Sequence, residues 1–156
     1  MRQGTLTDSN DLPRGDLAEG VARAEAIAPI RGIMPSTFER LRALIKLEPD
    51  WDSRGGRPLS LLSIGKAVDL LLDLTQQRSA STADGLRPFG IFPLGDGGIQ
   101  LEWRGPVRDI EVEINPRGEY SYLLIERDGD KRQFEEVENA SAPEILVLLS
   151  RILVPS

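Results

Sequence analysis

Apolar residues recur along this chain with two different periods. Phe38, Leu41, Leu44 and Ile45 follow helical spacing and share one face. Ser36 and Glu39 have the spacing of a capping box, so a helix is expected to start at Ser36 and to stop before Pro49. Glu48–Pro58 reads as a loop. A second helix is expected from Ser60 to Gln77, with Leu61, Ile64, Val68, Leu71, Leu72 and Leu74 on a broad apolar face. Arg78–Arg87, rich in Ser, Ala, Thr and Gly, reads as a surface linker.

The period then changes to two. Phe89–Leu94 predicts a short edge strand, because Pro93 cannot donate to a ladder. Gly95–Gly98 is a turn, and Ile99–Trp103 alternates with Ile99, Leu101 and Trp103 inward. Asp109–Ile114 alternates likewise, with Ile110, Val112 and Ile114 inward. Asn115–Gly118 suits a three-residue hairpin in which Gly118 takes the left-handed position. That hairpin pairs Ile114 with Tyr120, Val112 with Tyr122 and Ile110 with Leu124, leaving Leu123 and Ile125 on the other face of strand Glu119–Arg127. Asp128-Gly129 reads as a two-residue turn into a last strand, Arg132–Val137, and would set Phe134 opposite Leu123. Ser141 and Glu144 form another capping-box pair before a helix from Pro143 to about Val154. That helix is apolar nearly all round, so burial on more than one side is expected.

Helices followed by grouped strands predict an α+β fold: two N-terminal helices, an antiparallel meander of about five strands, and a C-terminal helix packed on the sheet. Residues 1–17 are polar and predict a disordered tail, and 18–156 a single domain. Leu17–Ile30 holds an Ala/Glu/Arg-rich stretch that could form a short helix, weakened by Gly20.

Composition narrows the chemistry. The chain has neither cysteine nor histidine. That excludes disulfides, thiolate nucleophiles, imidazole ligands and histidine-based triads. Acid–base work would fall to carboxylates, lysine or tyrosine, and a metal site would be all-oxygen. A net charge of -6 disfavours generic nucleic-acid binding and suits a basic protein partner. No run is long and apolar enough to span a bilayer, the first residues lack an apolar signal segment, and a cytoplasmic location is the expectation.

Three surfaces are candidates. Glu102, Asp109, Glu111 and Glu113 point away from the predicted core, with Arg104 meeting Asp109 and Glu102 meeting Glu111 across strands. Such like charges invite a basic partner or a metal, or form an ordinary solvated face. Asp96 with Glu102 and Arg104 only faintly suggests a metal-dependent nuclease, since arginine makes a poor base. In the loop Trp51, Asp52, Arg54, Gly55, Gly56, Arg57, the arginines could hold an anion. Equally, Trp51 could plug the core while Asp52 and the glycines turn the chain. Leu123, Ile125 and Phe134, together with the excess apolar surface of the last helix, suggest contact with another chain. Tyr120 and Tyr122 read as half-buried sheet residues.

The run Trp51, Asp52, Gly55 and Pro58, then Gly97–Trp103, then Ile110–Ile114, followed by Gly118, Tyr122 and Leu123, resembles a group of small uncharacterised bacterial proteins. That group carries a WD-x-x-G-A-x-P loop and a GGIQLEW strand, and the match spans residues 49 to 126. The resemblance implies a bacterial or phage origin and no mechanism. Gly56 stands where the group often has alanine, implying a looser loop here.

The expected function is therefore a non-enzymatic interaction module: a subunit, or an immunity- or antitoxin-like partner, binding a basic protein or a second copy of itself. The alternative is a carboxylate-only divalent-metal enzyme or ligand-binding domain on the acidic face. No cofactor is expected.

Overall fold

The structure is a computed structural model, and it describes residues 34–77 and 86–153. The expected tail over 1–17, the helix over Leu17–Ile30, most of the linker and Val154 lie outside the described residues. The elements are α1 (Pro35–Ile45), α2 (Leu61–Gln76), β1 (Gly90–Pro93), β2 (Ile99–Arg104), β3 (Arg108–Ile114), β4 (Tyr120–Asp128), β5 (Lys131–Ala140) and α3 (Ala142–Leu153). The fold is α+β, with a five-stranded antiparallel sheet in the simple order β1-β2-β3-β4-β5.

Period-two alternation separates the two faces of this sheet. Ile91, Ile99, Leu101, Trp103, Ile110, Val112, Ile114, Tyr120 and Tyr122 are buried in one cluster with residues of all three helices. From α1 come Phe38, Leu41, Leu44 and Ile45, as the helical spacing requires. From α2 come Ile64, Ala67, Val68, Leu70, Leu71 and Leu74. Trp103 is fully enclosed, and its Nε1–H donates to the Leu86 carbonyl at 2.9 Å. That bond ties the chain preceding β1 to the middle of the sheet.

Three local expectations need correction. The capping box at Ser36 does not form: α1 starts at Pro35, and no side chain caps it. Proline is preorganised for the first helical turn, and Ser36 Oγ instead accepts from Arg87 Nη1 at 3.3 Å. The last hairpin turns at Gly129-Asp130, because Asp128 pairs with Lys131. Gly129 takes a φ of 58°, and Phe134 therefore lies opposite Ile125 rather than Leu123. Third, β5 runs on to Ala140 through a bulge: Tyr122 pairs with Val137 but Tyr120 pairs with Ala140. Asn139 takes up the extra residue at a φ of 53°, a left-handed conformation that asparagine tolerates.

The other turns follow the sequence. The β3–β4 hairpin has the expected pairs, and Gly118 sits at a φ of 80°. Ser60 caps α2 by accepting from Ser63 N–H at 3.0 Å, and Ser141 accepts from Glu144 N–H at 3.2 Å at the start of α3. The Glu144 carboxylate does not reach back to Ser141. It accepts instead from the Tyr122 hydroxyl at 3.2 Å.

The surplus apolar surface expected on α3 is largely absorbed. Ile145, Leu146, Leu149 and Ile152 are buried, and Leu148 and Leu153 pack partly against the same core. The helix touches both the sheet and α2, which explains its all-round apolar character. Val147, 50% exposed, is what remains outside.

Candidate interaction face

The three helices contribute to the inner core, and the outer sheet face has no described element across it. Alternation along each strand places Phe92, Gln100, Glu102, Arg104, Asp109, Glu111, Glu113, Ser121, Leu123, Ile125, Arg127, Arg132, Phe134 and Glu136 on it. The structure thus brings the acidic and apolar candidates together on one surface. Phe134 is 63% exposed and Phe92 39%. Leu123 and Ile125 are half-buried between their neighbours.

Charge on this face is sorted along the strand direction. Glu102 stands opposite Glu111, and Leu123 then separates Glu111 from Glu136 in the same row. Glu113 lies beside them, opposite Gln100. Burial pushes the Glu111 carboxyl above its ordinary value, and the charges of Glu102, Glu113 and Asp109 push it further, against the pull of Arg104. Gln100 partly relieves the strain by donating from Nε2 to Glu102 Oε1 at 2.8 Å.

Toward the other end the face turns basic. Asp109 is not a free acid: Arg127 Nη1 donates to its Oδ2 at 2.8 Å, and Arg127 Nη2 donates to the Gly105 carbonyl at 2.6 Å. Asp109 Oδ1 is buried without a hydrogen-bond partner. The Arg104 guanidinium lies 3.5 Å from the centre of the Phe89 ring. Arg104, Asp109, Glu111, Ile125, Arg127 and Arg132 border a shallow groove of about 270 Å³. Arg127 and Arg132 were not singled out from the sequence, although Arg127 shares the outward phase of Leu123 and Ile125 and so was legible there.

Among the described residues, no three acidic side chains converge closely enough to hold a metal ion. Glu102, Glu111 and Glu113 stand in adjacent ladder positions pointing outward. Asp96 is spent on its own turn, where its Oδ1 accepts from Gly98 N–H at 2.8 Å. The nuclease-like grouping with Glu102 therefore has no shared centre.

The Trp51–Pro58 loop closes on itself. Asp52 Oδ1 accepts from the amides of Arg54 at 2.9 Å and Gly56 at 2.7 Å, which hold its carboxyl below its ordinary value. Asp50 Oδ1 accepts from Gly55 N–H at 2.7 Å. Amides that could have cradled an external anion are thus already taken by the chain's own carboxylates. Trp51 is half-buried rather than a core plug, and its Nε1–H donates to the Arg57 carbonyl at 3.0 Å. Gly56 does not loosen the loop: a Cβ there would sit 2.7 Å from Asp52 Oδ1 and 2.8 Å from Trp51 Nε1.

This loop docks on the turn before β2. Arg57 N–H donates to the Gly95 carbonyl and Ser60 N–H to that of Gly97, each at 2.9 Å. The end of the Trp51–Pro58 loop and the start of the Gly97–Trp103 strand thus meet at one contact.

Both tyrosines are buried in the inner core rather than half-buried as expected, because the helices cover that face of the sheet. The Tyr120 hydroxyl donates to the Lys66 carbonyl at 3.1 Å, and burial pushes its pKa up to about 12. Burial and the bond to Glu144 raise that of Tyr122. No described helix is long and apolar enough to cross a membrane. Set against known protein families, curated proteins and solved structures, the chain matches none of them.

Proposed function

We propose that this protein is a non-enzymatic interaction module, a subunit or an immunity- or antitoxin-like partner in a bacterial complex, whose outer sheet face meets a basic protein. One observation carries this reading: Glu102, Glu111 and Glu113 crowd together beside Leu123, Ile125 and Phe134, on a face that no described element covers. Like charges facing one another across strands are unfavourable for the isolated sheet. Lysines or arginines brought by a partner would relieve that repulsion, while the apolar residues would supply the buried centre of an interface.

The test is capture from the native host with the full chain as bait, followed by crosslinking. A stoichiometric basic partner is expected, with crosslinks clustered on β2, β3 and β4. Binding should weaken as salt rises, since exposed charges are screened. The triple variant Glu102→Arg, Glu111→Arg, Glu113→Arg should abolish capture while keeping the fold by circular dichroism. A chain that recovers no partner, or a partner indifferent to the triple reversal, defeats the reading.

A further inference from the structure

The free side of β5, at the margin of the acidic face, is a second surface without a partner among the described residues. This strand lies at the sheet margin, and among the described residues only β4 pairs with it. Its other side presents backbone N–H and C=O groups that no described residue pairs with. Every residue from Lys131 to Glu136 is exposed.

The regular part of this edge is bounded at both ends. The Gly129-Asp130 turn precedes Lys131, and the bulge at Glu138 and Asn139 follows Val137. Phe134 is the midpoint of the run from Lys131 to Val137. It is also the most exposed of the large apolar residues described.

We propose that β5 pairs antiparallel with β5 of a second copy, about a two-fold axis through Phe134, to give one continuous sheet spanning two chains. Antiparallel pairing of identical strands places a two-fold axis normal to the sheet, and it matches residues equidistant from that axis. Full overlap of the bounded run sets the axis at Phe134. Arg132 then faces Glu136 of the second copy, and symmetry repeats the pair on the other side. Gln133 faces Glu135, Lys131 faces Val137, and the two Phe134 rings meet on the outer face. Opposite charges and aromatic pairs at facing positions are favourable.

Neighbouring registers are worse. An axis at Glu135 sets that carboxylate against its own copy, and an axis at Gln133 shortens the overlap within the bounded run to Lys131–Glu135 and loses the Arg132–Glu136 pair. Within the chain, Arg132 lies opposite Arg127, whose guanidinium is already held by Asp109. A carboxylate across the two-fold would therefore meet a cation that its own sheet repels.

Sedimentation of the full chain over a concentration series tests the proposal. The mass is expected to climb from 17.2 kDa toward twice that value. Arg132→Glu and Glu136→Arg should each weaken self-association at least ten-fold, since each sets like charges at both symmetric positions. An equimolar mixture of the two variants should restore it, because each chain then supplies the sign the other lacks. A folding defect would not be rescued by mixing. A monomer at every concentration, meaning that the edge charges guard against pairing, overturns the proposal. So does a dimer that both reversals leave intact. Absence of a wild-type dimer alongside capture of a basic partner removes edge pairing alone, and a dimer without such capture removes the acidic-face reading alone.

Discussion

Trp103→Phe isolates one buried hydrogen bond in the middle of the molecule. Phenylalanine keeps an aromatic ring in the slot but lacks the indole N–H. The Leu86 carbonyl, a buried acceptor bonded at 2.9 Å, then loses its donor. An acceptor left unsatisfied in that way costs about 1–3 kcal/mol. The missing pyrrole edge leaves a gap of at least methyl size, adding about 1 kcal/mol. The total, about 2–4 kcal/mol, is a large share of the roughly 5–15 kcal/mol that holds a domain together. The variant should still fold, with Tm lowered by about 8–16 °C at roughly 4 °C per kcal/mol. Urea unfolding followed by far-ultraviolet circular dichroism measures the loss, which should appear as a lower midpoint at unchanged slope. Trp51→Phe is the internal control. It deletes a comparable bond of 3.0 Å in an exposed loop, where water can replace the donor, and should cost less than about 1 kcal/mol. A Trp103→Phe loss under about 0.5 kcal/mol, the scale of neutral surface changes, would refute the claim that Leu86 is pinned through the indole.

Four more outcomes follow from the geometry. Glu111→Gln should raise Tm at neutral pH: the folded state raises this carboxyl's pKa, so ionisation costs stability above its titration range, and the gain should vanish as pH falls below it. Tyr120→Phe should lose the hydroxyl's bond at pH 8 but flatten the stability profile in alkali. The wild-type contribution is complete below the unfolded pKa near 10 and disappears as pH climbs through about 12, which thermal melts across that window detect. Gly98→Ala would place a Cβ 2.6 Å from the Ile114 carbonyl oxygen, a backbone atom of the paired strand, and should cost about 1–3 kcal/mol by denaturant titration. Gly65→Ala, in α2 with nothing within 4 Å, should instead stabilise by about 0.5–1 kcal/mol.

The sheet was legible because two-residue periodicity and turn chemistry agree. Gly118 fixed one hairpin, and with it the pairs Ile114–Tyr120 and Val112–Tyr122. The second hairpin was misread by one residue, since Asp128-Gly129 and Gly129-Asp130 are both acceptable turns and local sequence does not choose between them. Here the slip was harmless to face assignment, because moving the turn by one residue left Phe134 on the same side as Leu123 and Ile125. The false cap at Ser36 shows the limit of spacing rules: Pro35 one position earlier takes over the start of the helix. For the candidate face, strand phase correctly gathered Glu102, Glu111, Glu113, Leu123 and Ile125. What it could not reveal was the partner of Asp109, because Arg127 reaches it from the next strand by side-chain length rather than by facing it in register.

The bulge in β5 gives the strand one residue of slack. Val137 and Ala140 both look inward although an odd number of steps separates them, and Asn139 reconciles the parity. Removing Asn139 would heal the ladder and leave Ala140 beside Tyr120, so the launch point of α3 would survive the shortening. A residue lost between Arg132 and Glu136 has no such remedy short of the bulge, and the stretch between would present its two sides exchanged. Length change in this lineage should therefore be tolerated at the kink and purged a few residues before it.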